Sequence, residues 1–412
     1  MDILLIGGGG REAALAWKLS QSTEIQTIWT THENPGFPSN VKRLPEGDHV
    51  ETAAKLGVGL IVVGPEGPLA DGIVDRANIA GIPAFGPTRA AAQLEASKGF
   101  AKDFMVRHNI PTAAYGRFSD LQSALGSLVG PCVVKADGLA AGKGVLICQT
   151  KDEAADAVKH IFGGAFGHAG AEVVIEEMLE GPEVSVLALC DGERFLTLPP
   201  AQDHKRRFEG DTGPNTGGMG AFAPVDVPDG LIRLVGESVI APTLRGMAEA
   251  GSPFSGVLYV GIMLTKNGPK VLEFNCRFGD PECQPIMTLI DEDLLPLLLS
   301  CATGSLREEP IAVKSGAACC VVMASAGYPG PIVKGVEIEG LEKTMEGVVV
   351  FQAGTKRASD LIVTNGGRVL GVTAVSEDIR GARDLAYSRV ETIKFEGASW
   401  RNDIAWQAFK GD

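Results

Sequence analysis

Through the first hundred residues, short apolar runs alternate with amphipathic stretches. The runs at 3–6, 25–30, 60–63 and 83–85 predict buried strands, and the stretches over 12–20, 50–56 and 69–80 predict helices between them. Apolar strands separated by helices make a parallel sheet covered on both faces, with its ligand crevice beyond the strand C-termini. The loops at that edge are 7–11, 31–37, 64–68 and 86–88. A helix of mixed charge over 98–108 follows, and Pro111 then opens a new rhythm. Strand, helix (121–129), two strands, helix (151–161) and strand (172–176) make a unit the size of a small α+β lid. Strands and long helices run on to 315, and short Gly- and Val-rich strands fill the rest.

The pattern predicts an α/β and α+β multidomain chain. Four stretches follow from it: a doubly wound, Rossmann-like unit over the first hundred residues, a lid-sized unit from Pro111 to about Glu183, a mixed block to about 315 and a small β-rich segment from there to the end. A length of 412 residues agrees with two to four such units. The net charge of −14 argues against a nucleic-acid partner, which needs a concentrated basic face, so phosphorylated ligands must be held locally. Eight cysteines without a C-x-x-C pair, mostly in apolar runs, read as reduced and buried, which implies a cytoplasmic home. The first residues lack a basic leader and read as a strand, and no apolar run is long enough to span a membrane.

Candidate chemistry begins between Val133 and Val145. Lys135 lies in an apolar strand, Lys143 in the glycine-rich turn, and a second apolar run follows. Glycine lets backbone N–H groups approach phosphate oxygens, and the two lysines supply charge from two directions. A Walker A loop fails on spacing: three residues separate Gly138 from Gly142, and Gly144 stands where the metal-binding Ser or Thr would be. The flanking runs predict a β-hairpin that folds over a nucleotide triphosphate like a flap; the alternative is a surface hairpin with two solvated lysines.

Further along, residues 173–183 read as a buried strand entering an extended connector, whose alternating N–H and C=O groups suit an adenine edge while Glu183 can accept from ribose hydroxyls. On 271–277, Glu273, Asn275 and Arg277 recur every second residue and share one strand face, with Phe274 turned to the core. Two oxygen ligands on one face suit Mg²⁺, which draws most of its shell from water and phosphates, and Arg277 can clamp a phosphoryl group in transfer. Residues 211–220, with four glycines, read as a mobile loop preceded by Asp203, His204, Lys205 and Arg206; Asp280 and Glu282 continue from the metal strand. At the N-terminus, Gly8, Gly10 and Ala13 meet a permissive dinucleotide fingerprint with Glu33 some twenty residues on, while Arg11 at a helix start suits a phosphate monoester.

These segments occur together in a known order. Residues 86–88, 93–98, 135–144, 202–206, 211–220, 273–282 and 364–369 resemble those of the glycinamide ribonucleotide synthetases, ATP-grasp ligases of purine biosynthesis, and the likeness covers essentially the full chain. The resemblance implies the ATP-grasp fold, divided into a Rossmann-like substrate domain over 1–99, a central domain over 100–116 and 184–315, a lid over 117–183 and a C-terminal domain over 316–412, and a reaction in which ATP phosphorylates glycine and the amine of 5-phospho-β-D-ribosylamine attacks the glycyl phosphate. It further implies Lys102, Lys135, Lys143, Glu176, Leu179 and Glu183 at ATP, and Glu273 and Asn275 at magnesium, with manganese as an alternative. Arg277, Asp211, Asn215 and Lys135 become the catalytic set. Gly9, Gly10, Arg11, Gly64, Glu66, Asp203, Lys205, Gly279, Asp280 and Glu282 become substrate contacts, and a monomer is expected.

The sequence departs from the family pattern at the aminosugar end. Ala13 stands where the family usually has histidine, and His32, Glu33, Asn34, Pro35, Gly36 and Phe37 replace the usual Pro-Gly-Asn-x-Gly-Thr. Three other readings stay open: a nicotinamide-dependent oxidoreductase built on the N-terminal glycines, an ATP-responsive binding protein, and an ATP-grasp enzyme of another purine intermediate.

Overall fold

The computed structural model describes residues 1–140 and 144–409. Five parallel strands form the N-terminal sheet in the order Val41–Arg43, Thr27–Thr30, Asp2–Ile6, Leu60–Val63, Ala84–Phe85. The edge strand Val41–Arg43 was not foreseen: it is three residues long, largely exposed and bracketed by Pro38 and Pro45, so it carries no apolar alternation. The expected helix over 69–80 is two, Glu66–Ala70 and Ile73–Ile79, because Gly72 takes a left-handed conformation (φ 82°) between them.

The segment expected as a lid holds a four-stranded antiparallel sheet ordered Tyr115–Phe118, Val173–Glu177, Cys132–Ala136, Val145–Cys148. The expected hairpin is present, with Lys135 opposite Val145 and Val134 opposite Leu146. Helices Leu121–Ser127 and Lys151–His160 complete a hydrophobic core of its own, which includes Ala124, Leu128, Val134, Val158 and Val173. Thr150 and Asp120 cap the two helices by accepting from Glu153 and Ser123 N–H.

The central sheet runs Phe195–Thr197, Glu183–Asp191, Ser255–Thr265, Gly268–Asn275. Its core is continuous with that of the N-terminal sheet: Leu4 and Ile61 share a cluster with Leu258, Val260 and Phe274, joined by Phe104 of helix Lys98–Arg107. The C-terminal sheet is ordered Gln202–Asp203, Gly220–Ala223, Ala317–Ala324, Arg368–Ser376, Val348–Gln352, and helix Ile379–Val390 covers it. Two of its strands thus come from the middle of the chain. All eight cysteines are buried and free. Among the described residues, no helix is long and apolar enough to cross a membrane.

Candidate active site

Two lysines from different elements converge on one carboxylate. Lys102, from helix Lys98–Arg107, and Lys135, from the hairpin, each place Nζ 2.7 Å from an oxygen of Glu176. Lys102 also donates to Thr112 Oγ1 at 2.8 Å and Lys135 to the Leu272 carbonyl at 3.1 Å. Side-chain exposure is only 2% at Lys102 and 3% at Glu176, so these charges have left water and need partners. Two cations against one anion leave an excess positive charge in a dry recess, which favours a polyanion. Burial pushes Lys102 down to about 8, against the opposing pull of Glu176. Burial depresses Lys98 as well, with Glu273 opposing it, and its Nζ donates to the Gly138 carbonyl at 3.2 Å.

Facing the lysines is strand Gly268–Asn275, where Glu273, Asn275 and the following Arg277 alternate with buried Phe274, Cys276 and Phe278. Burial alone would raise Glu273, but Lys205, Lys135, Lys98 and Arg277 outweigh it and hold the carboxyl below its ordinary value, ionised. Among the described residues no group donates a hydrogen bond to it, and Asn275 Oδ1 receives only a long contact of 3.4 Å from Arg277. Two unspent oxygens on one face fit a hard divalent cation completed by water and phosphate. No cluster of three or more His, Cys, Asp or Glu groups suited to a metal occurs among the described residues. Arg277 is fixed from behind by Glu95 (2.8 Å) and Glu66 (3.3 Å), and Glu95 also accepts the Cys276 N–H at 2.7 Å.

Beside this strand, Lys205 pairs with Glu183 at 2.7 Å. Burial, opposed by Lys205, raises Asp203 to about 8. Tyr259 OH donates to Glu282 at 2.9 Å and lies 2.7 Å from Ser185 Oγ.

A second network of polar side chains gathers at the N-terminal glycines. The Glu12 side chain passes so close to Gly64 that a Cβ there would stand 2.1 Å from its Oε1, so a larger residue at 64 would have to displace Glu12. Glu12 accepts the Gly9 N–H at 2.6 Å and the Arg11 Nε at 2.7 Å, and Arg11 donates onward to the Phe278 carbonyl at 3.1 Å. Arg368, from the C-terminal sheet, donates to Asp280 Oδ2 at 3.1 Å, and Gln284 donates to Asp280 Oδ1 at 2.9 Å. Burial would raise Asp280, yet Arg368 and Arg11 prevail and keep it low. A dinucleotide needs the first helix start free and an acid for its ribose. Here Glu12 occupies the helix start, and Glu33 lies exposed beside Arg43 at 3.6 Å.

Residues 1–95 match the N domain of phosphoribosylglycinamide synthetase, 96–283 its ATP-grasp (A) domain and 318–407 its C domain. The chain belongs to the phosphoribosylglycinamide synthetase family. A Brucella melitensis protein named phosphoribosylamine–glycine ligase is 49% identical, with 99% of this chain and 98% of that one covered. The crystal structure of phosphoribosylamine–glycine ligase from Thermotoga maritima superposes with a TM-score of 0.88 at 36% identity, covering 98% of this chain and 100% of that one. A biotin carboxylase domain from Hydrogenobacter thermophilus, in complex with MgADP and bicarbonate, gives 0.75 at 17% identity over 97% and 91%, a likeness of fold alone. The fold is that of the ATP-grasp enzymes.

Within this synthetase fold, the structure brings Lys102, Lys135 and Glu176 together, and separately Gly9, Gly10, Arg11, Gly64, Gly279, Asp280 and Glu282, with Arg277 and Glu66 between them. Glu176 spends its carboxylate on the two lysines, and Glu183 on Lys205. Leu179 lies half-buried in the connector after strand Val173–Glu177. Lys143 lies outside the described residues. The expectation of a mobile loop over 211–220 needs correction. Thr212–Asn215 is a strand paired with Arg206–Phe208, Asn215 sits opposite Arg206, and the Asp211 carboxylate is taken by Arg401 at 2.7 Å. Sequence reasoning missed Glu12, Glu95, Lys98, Tyr259, Gln284, Arg368 and Arg401 as members of these networks. Glu95, Lys98 and Arg368 fell inside the segments carrying the resemblance, so a signal existed; Arg401 had none.

Proposed function

We propose that this synthetase-family chain ligates glycine to 5-phospho-β-D-ribosylamine with ATP, in de novo purine biosynthesis. The γ-phosphoryl group passes to the glycine carboxylate and ADP leaves. The amine nitrogen then attacks the acyl carbon, loses a proton and expels phosphate, giving glycinamide ribonucleotide. The observation that carries this reading is the pairing of the Lys102–Lys135 recess with the unspent oxygens of Glu273 and Asn275 across from it. Lys102, Lys135 and Lys143 hold the triphosphate, while Glu183 and the connector at Leu179 receive the adenosine. Glu273 and Asn275 would hold magnesium, or manganese in its place, which when bound neutralises phosphate charge.

Arg277 faces the transferring phosphoryl group, and its two glutamates preset its position, so little reorganisation accompanies charge development. Asp203, Lys205, Asp211 and Asn215 border the glycine site. The network of Gly9, Gly10, Arg11, Gly64, Glu66, Gly279, Asp280 and Glu282 takes the aminosugar phosphate. Catalysis is therefore chiefly positioning and electrostatics. The units are 1–99, 100–116 with 184–315, 117–183 as lid, and 316–412, with strand Tyr115–Phe118 joining the lid sheet and strands Gln202–Asp203 and Gly220–Ala223 joining the C-terminal sheet, and the chain acts as a cytoplasmic monomer. Glu273→Gln tests the core of the reading: turnover should fall most at limiting magnesium and recover partly at high magnesium, whereas unchanged magnesium dependence would remove Glu273 from the metal.

A further inference from the structure

Residues 206–218 are gripped by the C-terminal part of the chain at both ends. Arg401 is 1% exposed and spends its guanidinium on Asp403 Oδ1 and Oδ2 (2.7 Å each), Asp211 Oδ1 (2.7 Å) and the Arg206 carbonyl (3.1 Å). Asp403 in turn accepts the Gly210 N–H at 2.8 Å, and Asn402 Nδ2 donates to Glu209 at 2.7 Å. At the other end Arg368 donates to the Gly217 carbonyl at 2.5 Å, and Gly217 N–H donates to Tyr328 OH at 3.1 Å. Asp211, in the first of these grips, takes a left-handed backbone (φ 53°), which turns the chain from Gly210 into strand Thr212–Asn215.

We infer that Arg401 is a positioning residue for the glycine site: through Asp211 and Arg206 it sets the hairpin that walls the acyl-phosphate chamber. The inference rests on the ligase reading, which places 211–220 against glycine. Asp211 on this view is a structural anchor whose carboxylate is spent on Arg401. The C-terminal segment around 399–407 therefore belongs to the active-site architecture although it lies far along the chain from the ATP residues. A displaced wall misplaces glycine and admits water to the acyl phosphate, while Lys102, Lys135 and Glu273 stay where they were.

The test uses the full-length enzyme with Arg401→Ala, Arg401→Lys and Asp211→Asn. The expected result is a glycine KM raised about tenfold in Arg401→Ala, an ATP KM within about twofold of the parent, and ADP release that outruns amide formation. Arg401→Lys should recover part of the loss, and Asp211→Asn should reproduce it, with the double variant no worse than Arg401→Ala because the two act as one unit. Circular dichroism and thermal melting check folding; should Arg401→Ala not fold, Asp211→Asn on the exposed side of the pair carries the test. Unchanged glycine KM in folded variants would overturn the inference, as would equal rises in every KM, or a fall in kcat confined to Asp211→Asn. A parent enzyme without glycine-dependent ADP formation would instead sink the ligase reading.

Discussion

Glu176 holds two buried lysines at once, so its replacement exposes what the trio contributes. In Glu176→Gln both ammonium groups lose their counter-charge in a dry setting, and a loss of about 3 to 5 kcal/mol in stability is expected from a broken buried pair, read by urea or thermal unfolding. Lys102 gives a sharper, pH-dependent signal. Its depressed value of about 8 means that the ATP-free protein sheds this proton above that pH, while a bound triphosphate favours the charged form. ATP binding should therefore take up a proton between about pH 8 and 10 and weaken as pH rises through that window. Calorimetry in buffers of different ionisation heat checks this, and Lys102→Ala should abolish the buffer dependence. Stability has the opposite sign: charged Lys102 costs most below about 8, and the cost is relieved as pH climbs toward the ordinary lysine value of 10.5.

Among elements, the four-stranded sheet of Tyr115–Phe118, Val173–Glu177, Cys132–Ala136 and Val145–Cys148 stands apart because it has its own core. Leu128→Ala should weaken that unit by about 2 to 5 kcal/mol and raise hydrogen exchange over 115–177 while the N-terminal sheet keeps its protection. The connector after strand Val173–Glu177 depends on Gly181, which has φ 148° and lies so near Leu264 that a Cβ would stand 2.1 Å from its carbonyl oxygen. Gly181→Ala should destabilise by more than about 1 kcal/mol and raise the ATP KM more than the glycine KM, as steady-state kinetics would report. The hairpin and the parallel sheet were legible because their apolar runs, though short, are unbroken and bounded by turn residues. Strand Val41–Arg43 was not, since an exposed three-residue edge carries no periodicity. The strand Thr212–Asn215 was hidden for a different reason: the glycine-rich stretch around it argues for a loop, while the strand pairs with Arg206–Phe208 and the preceding Asp211 is held by Arg401, nearly two hundred residues away.

Over the whole molecule, the sequence reading reached the family because Lys135, Glu273, Asn275 and Arg277 lie in compact motifs with chemistry at fixed spacing. It did not reach the supports. Glu95 under Arg277, Glu12 under Gly64 and Arg368 over Asp280 are long-range partners, and only the folded chain brings them to the site. The departures at Ala13 and 32–37 lie by the network at the N-terminal glycines: Ala13 is buried in the first helix, and Asn34 donates to the Gly8 and Gln352 carbonyls at 3.0 and 2.8 Å. The altered loop is thus tied to both the glycine turn and the C-terminal sheet. Every element of the proposed reaction meets in one measurement: ADP release by the purified protein with ATP and magnesium, with glycine and phosphoribosylamine supplied together or singly. The expected result is sustained ADP release only with both, matched mole for mole by glycinamide ribonucleotide; equal ATP turnover without glycine, or ADP without the amide product, would contradict it.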